Sequence, residues 1–290
     1  MPGVADLFLP FAEFGFMRSA LLGCLVLSFS AAPVGVFLML RRMSLTGDAM
    51  AHAILPGAAI GYLVSGLSLA AMTIGGIVAG LVVAVGSGLV ARSTVLREDV
   101  SLAVFYLLSL ALGVLIVSTR GNHVDLLHVL FGTALALDTD ALWLLAGIAA
   151  TTWVVLALLF RALVMECVDP EYLRAVSGWS PVAHYGFLAL VVINLVAGFH
   201  ALGTLMAVGI MVLPAATARL WVRHIQPLLL LAPVLAAAAC VVGLLLSYYA
   251  DWPTSPAIVL CLGVMYALSM VVAPFGAVRA HRPSHVHLKG

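Results

Sequence analysis

In the stretch RRMSLTGDAMAHAILPG, residues 41–57, two arginines give way to an apolar run that nevertheless holds Ser44, Asp48 and His52. Their i, i+4, i+8 spacing puts all three on one face of a helix. A carboxylate and an imidazole one turn apart can ligate a divalent cation, and oxygen with imidazole nitrogen suits Zn2+ or Mn2+ better than a soft, thiolate-seeking ion. Pro56 follows His52 by four residues. Lacking an N–H, it leaves the His52 carbonyl without its helical partner and pushes it aside, so a kink and a further oxygen are expected there. Other uses of these residues stay open: Asp48 and His52 pairing with each other or with a neighbouring helix, Asp48 capping a helix end near Arg42, or a proton relay.

A second stretch, NLVAGFHALGTLMAVGIMVLPAATARLW over residues 194–221, places His200 at the head of an apolar run. Gly203 and Gly209 allow close helix approach, and Pro214 should free the Ile210 carbonyl as Pro56 frees that of His52. Two Pro-interrupted hydrophobic segments, each with ligating side chains, point to the substrate path of a transporter. A third stretch, ECVDPEYLRAVSGWSPVAHYG over 166–186, is polar and bounded by Pro170 and by Gly178 and Pro181. Its Glu171 and Arg174 fall one turn apart on a solvated surface. It is the best candidate for a rigid element presented to an external motor. Glu98 and Asp99 stand where acids complement the dipole of a helix N-terminus. His123 and His128, and the tail histidines His281, His285 and His287, have no firm ligand spacing and read as structural or solvated.

The elements that must position these residues follow from composition. The 290 residues are 64% hydrophobic and 9% charged, with mean hydropathy +1.21. Soluble domains carry about 25% charged residues, so this chain reads as an all-α polytopic membrane protein, with the short alternating strands of a β-barrel missing from the pattern. Nine apolar segments are expected, at 15–40, 44–65, 69–91, 99–119, 141–163, 182–199, 201–221, 227–249 and 254–274. Eight crossings with one re-entrant segment is the other count. Residues 121–140 are too polar to span and read as an amphipathic or re-entrant helix.

Arg41, Arg42, Arg92, Arg97, Arg161, Arg174, Arg219, Arg223, Arg279, Arg282 and Lys289 fall in every second connection and the tail, which are therefore cytoplasmic. With nine spans the N-terminus lies outside. Residues 1–13 carry no early basic cluster and read as an interfacial lead-in, not a cleaved signal, and 276–290 as a cytoplasmic, His-containing tail. The whole chain, 1–290, is one transmembrane domain, with 166–181 as its cytoplasmic coupling segment. A net charge of +1 leaves no nucleic-acid footprint. The four cysteines are dispersed, which disfavours a disulfide or thiolate metal site. No GxxxxGK[ST] loop occurs, so uphill transport needs an ion gradient or a partner.

The segments RRMSLTGDAMAHAILPGAAIGY, REDVSLAVFY, HVLFGTALALD, DPEYLRAVSG and GTLMAVGIMVLPAATAR occur in an order and spacing that resembles the membrane permeases of bacterial ATP-binding-cassette importers for zinc and manganese, the metal-type ABC-3 permeases. The resemblance runs over roughly residues 14–275, and GDAMAHAILPG and LPAATAR are its most specific parts. It implies a fold like that of the importers for vitamin B12 and iron chelates, in the bacterial inner membrane. It also implies a homodimer, two cytoplasmic ATPase subunits that use the ATP, and an extracytoplasmic solute-binding protein that delivers the metal, with no permanently bound cofactor. By the same resemblance Asp48 and His52 are metal-pathway residues. Asp169, Glu171, Arg174 and Gly178 lie in the region that docks onto the ATPase, while His200, where relatives often have glutamine, is a candidate for tuning metal choice.

The expected function is import of a divalent transition metal by alternating access, zinc favoured over manganese because of the extra imidazole. The other reading is a proton-coupled secondary transporter with Asp48 as its coupling acid. An intramembrane metalloprotease would need HExxH or a comparable set, and the sequence has none.

Overall fold

The computed structural model describes residues 9–66, 68–95, 98–120, 137–169, 172–173 and 178–276. Among these, eleven helices and no strands occur: α1 (Leu9–Glu13), α2 (Gly15–Leu40), α3 (Ser44–Ala53), α4 (Leu55–Ser65), α5 (Leu69–Ser93), α6 (Glu98–Arg120), α7 (Thr139–Val168), α8 (Trp179–Leu202), α9 (Thr204–Trp221), α10 (Ile225–Ala250) and α11 (Thr254–Val272). Eight of them are long and apolar enough to cross a membrane. The place of the expected span at 44–65 is taken by α3 and α4, joined through Ile54, which keeps helical dihedrals of −73° and −29°. Neither is long enough alone. Together they cover about 33 Å at 1.5 Å per residue, which preserves the alternation of arginine-bearing connections.

Burial separates the spans. α2 and α8 are the most enclosed and α6 the least. α2 packs on α7, α8, α9 and α10, and α9–α11 close the far side. The second group, α3–α6, packs mainly on itself and meets the first through α8 and α9. Large apolar side chains such as Leu158, Trp143, Val82 and Leu230 point outward. In water that would be an aggregation surface, but for a chain of this hydropathy it is the lipid-facing shell.

Backbones meet where side chains are missing. A Cβ on Gly57 would run into the Gly75 carbonyl, and one on Gly61 into the Ala71 carbonyl, so α4 and α5 touch main chain to main chain. Gly35 does the same for α2 against the Met211 carbonyl of α9. α8 turns back into α9 at Gly203, whose φ of 87° is open to glycine and strained for other residues, and Gly198 gives Ala207 room on the return. Ser255 Oγ donates to the Leu202 carbonyl at 2.7 Å, closing the C-terminal end of α8.

Polar bonds tie α2, α7 and α8 inside the apolar core. Ser30 Oγ donates to Asn194 Oδ1 at 2.7 Å, and Asn194 Nδ2 donates to Thr152 Oγ1 at 2.8 Å. Trp153 Nε1 adds a bond to the Phe29 carbonyl at 3.0 Å. Each group is satisfied by a partner on another helix, as a polar group in a dry interior must be.

Candidate functional site

α3 is capped by Met43 without a side-chain bond, so Asp48, its fifth residue, does not cap the helix. Thr46, Gly47, Ala49, Met50, Ala51 and Ala53 form its buried side, and Gly47 sits against Leu38 and Val212. The open side carries Leu45, Asp48 and, half-buried, His52. The Asp48 side chain is 66% exposed and that of His52 35%.

His52 Nε2 and Asp48 Oδ1 stand 3.9 Å apart. That is too long for a hydrogen bond, so the acid and the imidazole face each other without using each other up. Two ligands of one tetrahedral ion lie roughly 3.0–3.5 Å apart when each is about 2.1 Å from it, so a shift of about half an ångström would let both bind one cation. His52 Nδ1 is buried without a hydrogen-bond partner among the described residues. No group of three or more His, Cys, Asp or Glu side chains suited to a metal occurs among them either. Among the described residues, one chain supplies two side-chain donors at this place.

The helix is interrupted near Pro56, but the His52 carbonyl, expected to be free, accepts a backbone N–H in the turn at Ile54. α4 starts at Leu55 with Pro56 in its first turn. The carbonyl of Ala53, at the end of α3, accepts Ser109 Oγ of α6 at 2.9 Å, so one of the oxygens at the kink is held by a neighbouring helix. Gly113 of α6 lies against Pro56, which lets the two helices close at that point. Pro214 behaves differently: α9 runs through it unbroken.

His200 lies in the last turn of α8 and not at the head of the following span, because the chain reverses at Gly203. Ile54 and Val196 both lie against Gly76. The break between α3 and α4 is thus level with Val196, one turn short of His200 along α8. Asp48 and His52 are brought together, their nearest nitrogen and oxygen 3.9 Å apart.

At the other end of α7, the helix continues through Glu166, Cys167 and Val168, and Asp169 is its C-cap. Asp169 Oδ1 accepts the Tyr172 N–H at 2.9 Å, starting a tight turn. Gly178 is the N-cap of α8. Glu171 and Arg174 lie outside the described residues, as do His123, His128, His281, His285 and His287.

The buried charge of the molecule is elsewhere. Arg41 Nη2 donates to Glu166 Oε1 at 3.1 Å and to His184 Nδ1 at 2.7 Å. The three side chains are only 7%, 2% and 4% exposed, and the guanidinium stacks 5.0 Å over the Phe187 ring. Sequence reasoning takes Arg41 for a loop charge and 166–186 for a solvated segment. The available signal was the register of the apolar runs, which continue past Glu166 and His184 and so draw both inward.

A family model described as the ABC 3 transport family matches residues 13–273. The manganese import system permease protein ScaB of Streptococcus parasanguinis is 31% identical over 262 residues, 90% of this chain and 92% of that protein. The solved structure of PsaBC from Streptococcus pneumoniae in complex with Fab superposes with a TM-score of 0.83 at 28% identity, covering 96% of this chain and 98% of that one. An inward-facing metal-chelate type ABC transporter shares the fold, with a TM-score of 0.68 at 16% identity over 93% of this chain and 90% of that one. The order of spans, the absence of a nucleotide loop and these likenesses agree, and the chain belongs to the ABC 3 transport family, as a multi-pass transport subunit of the bacterial inner membrane that leaves ATP hydrolysis to a separate protein.

Proposed function

We propose that the open Asp48–His52 face of α3 is half of a divalent-metal passage, and that a second copy of this chain supplies the other half. The observation that carries this reading is the acid–imidazole pair at 3.9 Å, part-exposed and not hydrogen-bonded to each other, on a helix with no other ionisable side chain. A carboxylate facing lipid near the bilayer centre costs about 2.5–3.5 kcal/mol or more, so this face needs a wet passage. Two-fold apposition places the same patch opposite itself and brings two carboxylates and two imidazoles around one axis, an oxygen and nitrogen set that suits Mn2+ and Zn2+.

The manganese permeases among the relatives favour Mn2+ as cargo, with Zn2+, the ion the extra imidazole pointed to, as its competitor. ATP-driven cycling follows from the family. An ATPase dimer meets the segment from Asp169 to Gly178, including Glu171 and Arg174, and an extracytoplasmic binding protein delivers the ion at the outer connections. Pro56 marks the point about which α3 and α4 change their relative angle, while His200 borders the outer half of the path.

The test is uptake of radioactive Mn2+ and Zn2+ in an import-deficient bacterium carrying the chain with its ATPase and binding protein. Uptake of Mn2+ that is lost on ATP depletion and in both Asp48→Ala and His52→Ala supports the reading. Uptake that survives ATP depletion and collapses with an uncoupler returns it to a proton-coupled transporter.

A further inference from the structure

The Arg41–Glu166–His184 cluster is poorly built for stability alone. Arg41 Nη1 and Glu166 Oε2 are buried and find no hydrogen-bond partner among the described residues, and unsatisfied buried groups of this kind cost free energy. Hydrophobic side chains of similar volume often hold a core as well as a buried ion pair does. The short Arg41–His184 contact also fixes chemistry. A guanidinium stays protonated, so it is the donor, and His184 Nδ1 must be the acceptor.

Position gives the cluster a purpose. Glu166 stands three residues before Asp169 and His184 six residues after Gly178, so two of its members bracket the segment 169–178. The third, Arg41, opens the link to α3, and Asp48 follows seven residues later. That link is stiff. Met43 N–H bonds the Leu38 carbonyl at 2.9 Å and Arg42 N–H bonds the Met39 carbonyl at 3.0 Å, with Arg42 at a left-handed φ of 58°. This is the Schellman closure of a helix end. Deeper in the core the same three helices are tied again through Ser30, Asn194 and Thr152.

We propose that Arg41, Glu166 and His184 are positioning residues that carry movement of the C-terminal end of α7 and the N-terminal end of α8 into the helix bearing Asp48 and His52. None of them touches the cargo. When the ends of α7 and α8 move, the cluster drags Arg41, and the stiff 41–43 turn passes the displacement to α3. The inference rests on the function proposed above for 169–178 and for the Asp48–His52 pair.

The experiment reconstitutes the permease with its ATPase and binding protein in liposomes, and measures Mn2+ taken up per ATP hydrolysed. Equilibrium binding of Mn2+ and assembly with the ATPase are measured on the same preparations. The Arg41→Gln/Glu166→Gln double variant leaves no unpaired charge buried, and His184→Phe keeps an aromatic ring, a somewhat larger one, while removing the acceptor and leaving the Arg41–Glu166 pair in place. Both are expected to keep Mn2+ binding within about twofold and to keep hydrolysing ATP, while uptake per ATP falls at least tenfold in the double variant and several-fold in His184→Phe. Arg41→Lys, which keeps the charge, is expected to recover part of the loss relative to the double variant. A wild-type uptake-to-ATP ratio in either the double variant or His184→Phe overturns the proposal and makes the cluster a structural ion pair. If the double variant does not assemble, His184→Phe decides alone. Failure of the wild type to couple uptake to ATP would instead count against the function proposed above.

Discussion

The chain places an acid beside an imidazole twice, in opposite settings. Asp48 and His52 stand 3.9 Å apart on an open helix face, with 66% and 35% of their side chains exposed. Glu166 and His184 stand 3.6 Å apart and are 2% and 4% exposed. What separates the two pairs is who holds their lone pairs. Arg41 takes Glu166 Oε1 and His184 Nδ1 at once and sets a fixed positive charge where a cation would bind, whereas no such partner holds the α3 pair among the described residues. Residue types and spacing therefore do not make a metal site by themselves. Availability of the donor atoms does.

That contrast is broken most directly by truncation. Asp48→Ala or His52→Ala should cut metal uptake at least about 100-fold, since loss of outer-shell partners alone costs about 10–100-fold at metal sites. At these part-exposed positions the thermal stability of the detergent-purified chain should change by no more than about 0.5 kcal/mol. Glu166→Ala should, besides any loss of coupling, strike stability. It leaves the Arg41 charge buried with only His184 to accept from it, and should cost about 3 kcal/mol, read as a fall in the melting temperature. Equal stability loss at Asp48 and Glu166 would erase the distinction drawn here.

The close approach of α4 to α5 gives a third test. Gly57→Val puts a branched side chain onto the Gly75 carbonyl and should cost about 1–3 kcal/mol, while changing the angle of the kink above the pair. Acidity offers a gentler probe. Imidazole ligates only when neutral, so uptake should fall several-fold from pH 7.5 to 5.5. The sign is fixed: protonation removes ligands. Flat uptake over that range would separate His52 from the metal. Smallest of all, Arg42→Gly relieves a left-handed residue at φ 58° and should raise stability by about 1 kcal/mol, unless the stiffness of that turn is already used in coupling, in which case uptake per ATP drops.

What the sequence revealed was local. The apolar runs at 15–40 and 69–91 became Gly15–Leu40 and Leu69–Ser93 because length and hydropathy are properties of the run itself. An interruption near Pro56 was legible from its missing N–H. The hydroxyl that occupies a carbonyl there could not be read, because Ser109 lies 56 residues away. The Arg41 cluster was hidden for the same reason, its partners being 125 and 143 residues distant. Taken one at a time, each of its members looks like an ordinary charge at a membrane interface. His200 was set at the head of a span because polarity alone does not mark a reversal, which here is made by Gly203 at φ 87°.

The central claim is that two chains pool Asp48 and His52 around one ion. It is met most directly by electron paramagnetic resonance of Mn2+ bound to the purified permease–ATPase complex, with 15N-histidine labelling to detect directly coordinated nitrogen. The expected result is one tightly held Mn2+ per two permease chains, with histidine nitrogen couplings that vanish in His52→Ala and an ion that is lost in Asp48→Ala. One ion per single chain, or nitrogen couplings that persist without His52, would contradict it.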